Sequence, residues 1–499
     1  MPTFKLSRHV ETSIFSLLVL THNIHLFNNS TDLYNNKDSI AIINNYKQLL
    51  FHFVDNQTMF KASSTDSQSS PLNVAKHGSS TVKVSFNYIN SILGSGIIGI
   101  PYAIRQAGLG AGIFLIFLIG WIIDYSLILM IKGGSMSGAK SYQELVYNSL
   151  GSVGYYILTA LQFIFPLVAM VSYNIIFGDT VTKVIVGIFE LPEDSIWNSR
   201  ELLIFLATIF LTLPISLYRN ISRLAKISLI SLLLIGFITI TIYVQMNFYH
   251  KHMNINDAFW VFMKPAGIPE AIGIITFGMM CHHNSFLLYE SLDEPSIPKW
   301  KSVTHVSIFV SVLCMILLGL GGYFSFGSSV QGDLFNNYCW DDHLINASRT
   351  LFCIAIMFTY PIECFVCREV LLTVIFGSTY DVVQNMDSKK SIMYHIGITV
   401  LIVTLTYLIS LVTNCLGVVL ALNGILAAIP LAFIFPAICY LKLNGDNLTK
   451  VQKFPSVFLV IFGISVAIIG IAVLISFGPE TCDHSFYRDY CSVIHKEIT

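Results

Sequence analysis

The sequence predicts an all-α polytopic membrane protein with eleven transmembrane helices, and three observations carry that prediction. Of 499 residues, 54% are hydrophobic and 11% charged, with a mean hydropathy of +0.68. A soluble domain carries roughly 25% charged residues, so this chain lacks the polar surface a soluble fold of its size requires. Apolar runs long enough to cross a hydrocarbon core of about 30 Å recur along the chain. Runs of this length are helical, because backbone groups in lipid must bond within their own segment. The short alternating segments of a β-barrel do not occur.

The predicted spans are residues 86–104, 112–131, 155–177, 201–218, 227–247, 266–289, 303–325, 351–376, 393–413, 415–441 and 455–477. Basic residues set their direction. With the N-terminus in the cytoplasm, thirteen fall in inside loops: Lys132, Lys140, Arg219, Arg223, Lys226, Lys299, Lys301, Arg368, Lys389, Lys390, Lys442, Lys450 and Lys453. Six fall outside: Arg105, Lys183, Arg200, Lys251, Lys264 and Arg349. The loop after span seven is acidic (Asp333, Asp341, Asp342) and holds the sequon Asn346-Ala347-Ser348, which suits an extracellular or lumenal face and makes Asn346 a candidate glycosylation site.

Residues 1–85 are rich in Asn and Ser and read as a mostly disordered cytoplasmic tail. Lys5 and Arg8 before Ile14–Leu20 imitate a signal peptide, but the apolar core is minimal and no small-residue cleavage pattern follows it. An inside tail leaves the sequons at Asn28, Asn29 and Asn56 unmodified. Residues 478–499 form an outside tail, where Cys482 and Cys491 are spaced for a small disulfide loop. Cys339 with Cys353 is a second candidate pair. The net charge of −1 gives no footprint for nucleic acid, and the ten cysteines, mostly inside apolar runs, are not a secreted disulfide framework.

Two motif matches do not carry their usual meaning. Gly94-Ser95-Gly96-Ile97-Ile98-Gly99 has the G-x-G-x-x-G spacing, but a dinucleotide fold needs a preceding strand and a βαβ unit. Cys364-Phe365-Val366-Cys367 lies in an apolar helix without a second ligand pair for zinc. The glycine run has a better explanation. Each Gly weakens a helix by about 1 kcal/mol relative to Ala. Three in six residues, followed by Pro101, predict a break near the membrane midplane. The freed N–H groups and positive dipole end then suit a substrate carboxylate, and the unwound carbonyls suit a cation such as Na⁺. Close helix packing through small residues is the alternative.

A second interruption, Thr276-Phe277-Gly278-Met279-Met280-Cys281-His282-His283-Asn284, falls in span six. Spans one and six open the halves of a five-plus-five arrangement, residues 86–247 and 266–441. Breaks at matching positions point to an inverted repeat around a central site, with span eleven as an addition. Asp124 and Glu363 lie inside spans, where a charge costs about 2.5–3.5 kcal/mol and seeks a partner or a cavity. Asp124 is expected at a helix–helix contact. Glu363 either pairs with Arg368 near the inner face or serves gating. His282 and His283 either accept protons or cap a helix end.

Residues 86–477 resemble the sodium-coupled neutral amino acid transporters of the amino acid/auxin permease superfamily. The matching stretches are Asn90-Ser-Ile-Leu-Gly-Ser-Gly-Ile-Ile-Gly99-Ile-Pro101, Ser216-Leu-Tyr-Arg219-Asn220-Ile, Cys281-His-His-Asn-Ser-Phe286, Gln331-Gly-Asp-Leu-Phe335, Tyr360-Pro-Ile-Glu-Cys-Phe365 and Leu422-Asn-Gly424, in order along the spans. The resemblance implies a leucine-transporter-like fold and a neutral amino acid as substrate. It implies Na⁺ as coupling ion, with Asn90 and Thr359 as its oxygen ligands, and no other cofactor. It places the substrate against opened backbone near Gly94, Ser95, Gly96, Thr276, Phe277 and Gly278. The histidine-rich external end of better-characterised relatives is not evident. A monomer in the plasma or endolysosomal membrane is expected. The other readings are a proton-coupled or exchange-type organellar transporter and a transport-deficient amino acid sensor signalling through residues 1–85. Charge rings of a channel and a catalytic constellation are not found in the sequence, so neither a channel nor an enzyme is expected.

Overall fold

The computed structural model describes residues 79–189, 195–218, 228–252, 260–376, 388–413, 415–477 and 490–491. The expected tail up to residue 78, with its sequons, lies outside the described residues, as do Arg219, Arg223, Lys226, Cys482 and most of 478–499.

The described residues are helical almost throughout. Span one is two short helices, α1 (Thr81–Ile92) and α2 (Ile100–Ala107), joined through a 3₁₀ turn at Ser95–Gly99. Ser80 caps α1, its hydroxyl accepting from Lys83 N at 3.4 Å. Gly108, at φ 88°, turns the chain into α3 (Leu109–Ser137), a left-handed geometry that suits Gly. Then come α4 (Tyr142–Phe189, bent at Gly151) and α5 (Arg200–Ala207, carried on through Thr208–Thr212 to Leu213–Ser216). Next is α6 (Ser228–His252). Span six is again two helices, α7 (Ile268–Gly278) and α8 (His282–Glu290). The chain continues as α9 (Ile297–Phe326), α10 (His343–Phe376) and α11 (Ser388–Val412). Span ten is α12, Leu416–Asn423 carried on through Gly424–Ala428 and Pro430–Ile434 to Phe435–Asn444, and α13 (Lys450–Phe477) closes the bundle.

Among the described residues, nine helices or broken-helix pairs are long and apolar enough to cross a membrane. The other two predicted spans are helical but shorter, span one because it is interrupted and span four because α5 ends at Ser216. Large apolar side chains remain exposed along helix faces, as Phe114, Phe117 and Trp121 do on α3 and Ile461, Ile468 and Ile475 do on α13. Exposure on that scale fits a lipid-facing surface.

Two spans carry the polar contacts expected of intramembrane charges. Asp124 of α3 pairs with His305 Nδ1 of α9 at 2.7 Å, the helix–helix contact expected of it. Arg368 of α10 is buried and donates to Ser216 O at 3.1 Å and Thr399 Oγ1 at 2.9 Å. Of the two readings of Glu363, the ion pair with Arg368 is not formed among the described residues.

Candidate substrate and cation site

The two interruptions meet. A Cβ added to Gly96 would lie 2.6 Å from Gly278 Cα and 3.1 Å from Gly278 N, so the backbones approach as only glycine allows. At the first break Leu93 N still reaches Ile89 O at 2.8 Å, but Gly94 N turns to Ile92 O at 2.9 Å and the regular ladder ends. At the second, α7 closes on Met279 N to Ile275 O at 3.1 Å, and α8 begins three residues later. Gly94, Ser95, Gly96, Thr276, Phe277 and Gly278 therefore lie at one crossing. Backbone polar groups outside the helical ladder must find partners there, and a substrate's amino and carboxylate groups can supply them.

Side chains from neighbouring helices complete the crossing. Ser95 Oγ lies 3.4 Å from Ser172 Oγ of α4. Thr276 Oγ1 is buried without a hydrogen-bond partner. Phe277 and His283 pack against Phe165, with ring centroids 5.5 and 5.9 Å away. Phe165 O, beside Pro166, accepts from Asn423 Nδ2 of α12 at 3.0 Å. Sequence reasoning passed over Phe165 and Ser172. The signal that could have found the latter is Ser172-Tyr173-Asn174 in the middle of an apolar run.

Asn90 and Thr359 line one small cavity of about 20 Å³, together with Leu93, Gly94, Phe352, Ala355 and Ile356 and the α6 residues Leu234, Ile235 and Ile238. That volume holds one water-sized occupant. Thr359 Oγ1 donates to Ala355 O at 2.8 Å, which leaves its lone pairs to accept or to ligate. Two side-chain oxygens beside an unwound backbone are a donor set that fits a hard cation. Glu363 lies one turn further along α10, and its Oε2 is buried without a hydrogen-bond partner.

The histidines divide. His282 Nε2 lies 3.1 Å from Ser126 Oγ of α3, and Ser126 also donates to Ala432 O. His282 thus joins α8 to the bundle at its first residue, and its Nδ1 is buried and unpartnered, as is that of His283. The halves of the broken spans are tied to each other on both faces. On the N-terminal face, Tyr88 OH lies 2.6 Å from Ser285 Oγ, and Asn284 Nδ2 donates to Ser91 Oγ at 2.8 Å. On the other face, Tyr102 OH and Gln106 Nε2 donate to the Glu270 carboxylate at 3.1 and 3.0 Å.

Three outer-face expectations are corrected. Cys491 pairs with Cys339, Cα atoms 5.6 Å apart, and not with Cys482. Cys353 is a free thiol buried in α10, so it does not bridge to Cys339 either. Asn346 is 6% exposed, and its Nδ2, the atom a glycan would occupy, donates to Trp340 O at 2.6 Å. The sequon is buried in the turn that starts α10 and is not placed for glycosylation.

A family model described as transmembrane amino acid transporter protein matches residues 77–476. The chain belongs to that family. It is 42% identical over 425 residues to "Putative sodium-coupled neutral amino acid transporter 11" of Danio rerio, covering 85% of this chain and 92% of that one. The protein of the same name in Mus musculus is 44% identical over 418 residues, 83% and 90% of the two chains. "Vacuolar amino acid transporter 2" of Saccharomyces cerevisiae is 30% identical over 400 residues, 78% and 82% of the two chains. The fold is similar to that of MhsT, solved in complex with L-phenylalanine, at a TM-score of 0.50 and 13% identity over 79% of this chain and 99% of that one. The chain is thus a multi-pass membrane protein of an amino acid transporter family, in keeping with a plasma or endolysosomal membrane.

Proposed function

We propose that the chain is a secondary active transporter of neutral amino acids that couples uptake to Na⁺ by alternating access. Its eleven helical spans form two inverted five-helix repeats plus α13, with the N-terminus inside. The observation that carries this reading is the contact of the two broken spans at Gly96 and Gly278, with the Asn90–Thr359 cavity beside it. Relatives named as sodium-coupled neutral amino acid transporters support it. Na⁺ binds between Asn90, Thr359 and the opened carbonyls near Gly94, and its charge holds α1 against α10. The amino acid then binds across the two breaks. The paired halves rock and release both to the inside.

The test is uptake of labelled neutral amino acids with Na⁺ and with choline in its place. Uptake should collapse in choline, and Asn90→Ala or Thr359→Ala should raise the half-saturating Na⁺ concentration about tenfold, the equivalent of one lost ligand worth about 1.4 kcal/mol, with little change in substrate preference. Unchanged Na⁺ dependence in both variants would refute the cation site.

A second reading is H⁺ coupling in an organelle, and the unpartnered Glu363 carboxylate favours it. A buried carboxylate without a cationic partner is stable only when neutral or when a cation arrives. The vacuolar relative is in keeping with it. Uptake that persists in choline, follows the proton gradient and is lost in Glu363→Gln would select it.

A further inference from the structure

The loop between α9 and α10, residues 327–342, folds back onto the end of the bundle and is held there by its backbone. Arg105 Nη1 of α2 donates to Val330 O at 3.2 Å. Lys183 Nζ of α4 donates to Asn336 O at 3.0 Å, and Asn336 Nδ2 donates to Asp179 Oδ2 at 3.0 Å. Arg349 of α10 donates to Phe335 O at 2.6 Å, Tyr338 O at 2.7 Å and Cys339 O at 3.0 Å. Tyr490 OH reaches Asn337 O, and the Cys339–Cys491 disulfide fastens the far end. Leu334 is fully buried against Gly322, and Gly332 abuts the backbone of Gly417 at the start of α12.

Within this loop Asp333 is buried, 2% exposed. Its Oδ1 accepts from Phe335 N at 2.9 Å, and its Oδ2 is buried with no partner. The titratable groups that face it are Asp179 and Lys183 of α4 and Arg349 and Cys353 of α10. Asp179 is itself held by Arg200 Nε at 2.5 Å. Arg105 holds the loop further along, at Val330. A buried carboxylate oxygen without a donor, near a second carboxylate, favours an O–H over a negative charge.

We propose that Asp333 is a proton-binding site of this loop: with a proton on Oδ2 the loop stays seated, and loss of that proton loosens it. Burial first, then Asp179, push the Asp333 carboxyl up to about 7, against the opposing pull of Phe335 N, Lys183 and Arg349. An exposed aspartate titrates near ~3.9. The seated loop therefore holds the proton more tightly than the lifted loop. Its hold is full below about 4, falls by roughly tenfold per pH unit, and is weakest above about 7. Acid on the loop face locks the loop, and neutrality frees it. The consequence for transport rests on the reading above, in which that face is external or lumenal: an acidic compartment would keep the substrate path shut on that side.

Cys353 is a native reporter, since it is free, buried and beside Asp333. The full chain in nanodiscs is treated with a maleimide at pH 5.5 and 7.0, and the labelling rate at Cys353 is read by peptide mass spectrometry. Asp333→Asn, which keeps the oxygen facing Phe335 N but cannot ionise, is the control for the general rise of thiol reactivity with pH. The wild-type rate divided by the variant rate should rise about tenfold or more from pH 5.5 to 7.0. A constant ratio overturns the proposal. If the variant does not fold, the wild-type rate divided by that of glutathione gives the same test, and a flat quotient overturns it equally. The labelling reads the loop alone, so it fails or succeeds independently of any uptake assay.

Discussion

The two faces of the broken-helix pair are closed by different means. On the loop face, Tyr102 and Gln106 of α2 meet Glu270 of α7, and further ties run to the rest of the bundle. Arg105 of α2 holds a loop that Lys183, Asp179 and Arg349 fasten to α4 and α10. On the N-terminal face, the ties run mainly between the halves themselves. Tyr88 and Ser91 of α1 meet Ser285 and Asn284 of α8, and Ser79 exchanges backbone bonds with Ser291 O at 2.8 Å and Asp293 N at 3.1 Å. Two ties reach outward from α1 and α8, between Ser307 Oγ of α9 and Ser85 O and between Ser126 Oγ of α3 and His282 Nε2. Opening the loop face thus breaks several bonds to the scaffold, whereas α1 and α8 can swing with the bonds between them intact at the cost of those two.

Arg349 is the sharpest way to break that contrast. It is 0% exposed and satisfies three loop carbonyls and Asn346 Oδ1. Arg349→Ala strips four buried acceptors, each worth about 1–3 kcal/mol when left unmade. A loss of several kcal/mol and a large drop in melting temperature in detergent are expected. A variant that melts like the wild type would show that the loop is seated without Arg349.

Glycine substitutions at the crossing come next. At Gly96 an added methyl meets Gly278 backbone, which cannot yield, so Gly96→Ala should cost about 1–3 kcal/mol and abolish transport. At Gly278 the nearest atom is Met315 Cε at 3.4 Å, the far end of a flexible side chain. Gly278→Ala should keep most of its flux. Equal effects in uptake assays would mean that the breaks are not in contact during transport.

That difference also marks how far the sequence could be read. The break after Leu93 was legible because Gly94, Gly96 and Gly99 precede Pro101, and the break near Met279 because polar residues interrupt an apolar run. Nine of the spans were legible from hydropathy alone among the described residues. Asn90 and Thr359 came only through resemblance, and the structure brings them to one cavity although 269 positions separate them by number. The loop was misread. Spacing suggested Cys482 for Cys491 and a glycan on Asn346, because nearness in sequence says nothing of a loop that folds inward and brings Cys339 to Cys491 across 152 positions. Asp333 read as one more outside charge, and only its burial by residues from α4 and α10 gives it another role.

The smallest effect tests whether α1 and α8 move as one. Tyr88→Phe removes the hydroxyl that meets Ser285 but leaves the ring 5.4 Å from Trp300, and Ser285 keeps its bond to Cys281 O at 3.2 Å. Asn284→Ala frees Ser91 in the same way. Each should cost about 0.5–1.5 kcal/mol, the usual worth of one hydrogen bond. Thermal melts of the two single variants and the double variant form a cycle. If the ties hold α1 and α8 as a unit, losing one already weakens the other, and the double variant should fall short of the sum by 0.5 kcal/mol or more, roughly the coupling seen between residues of one network. Strict additivity would mean two independent contacts, and the N-terminal face would then open by parting α1 from α8 as readily as by swinging them together.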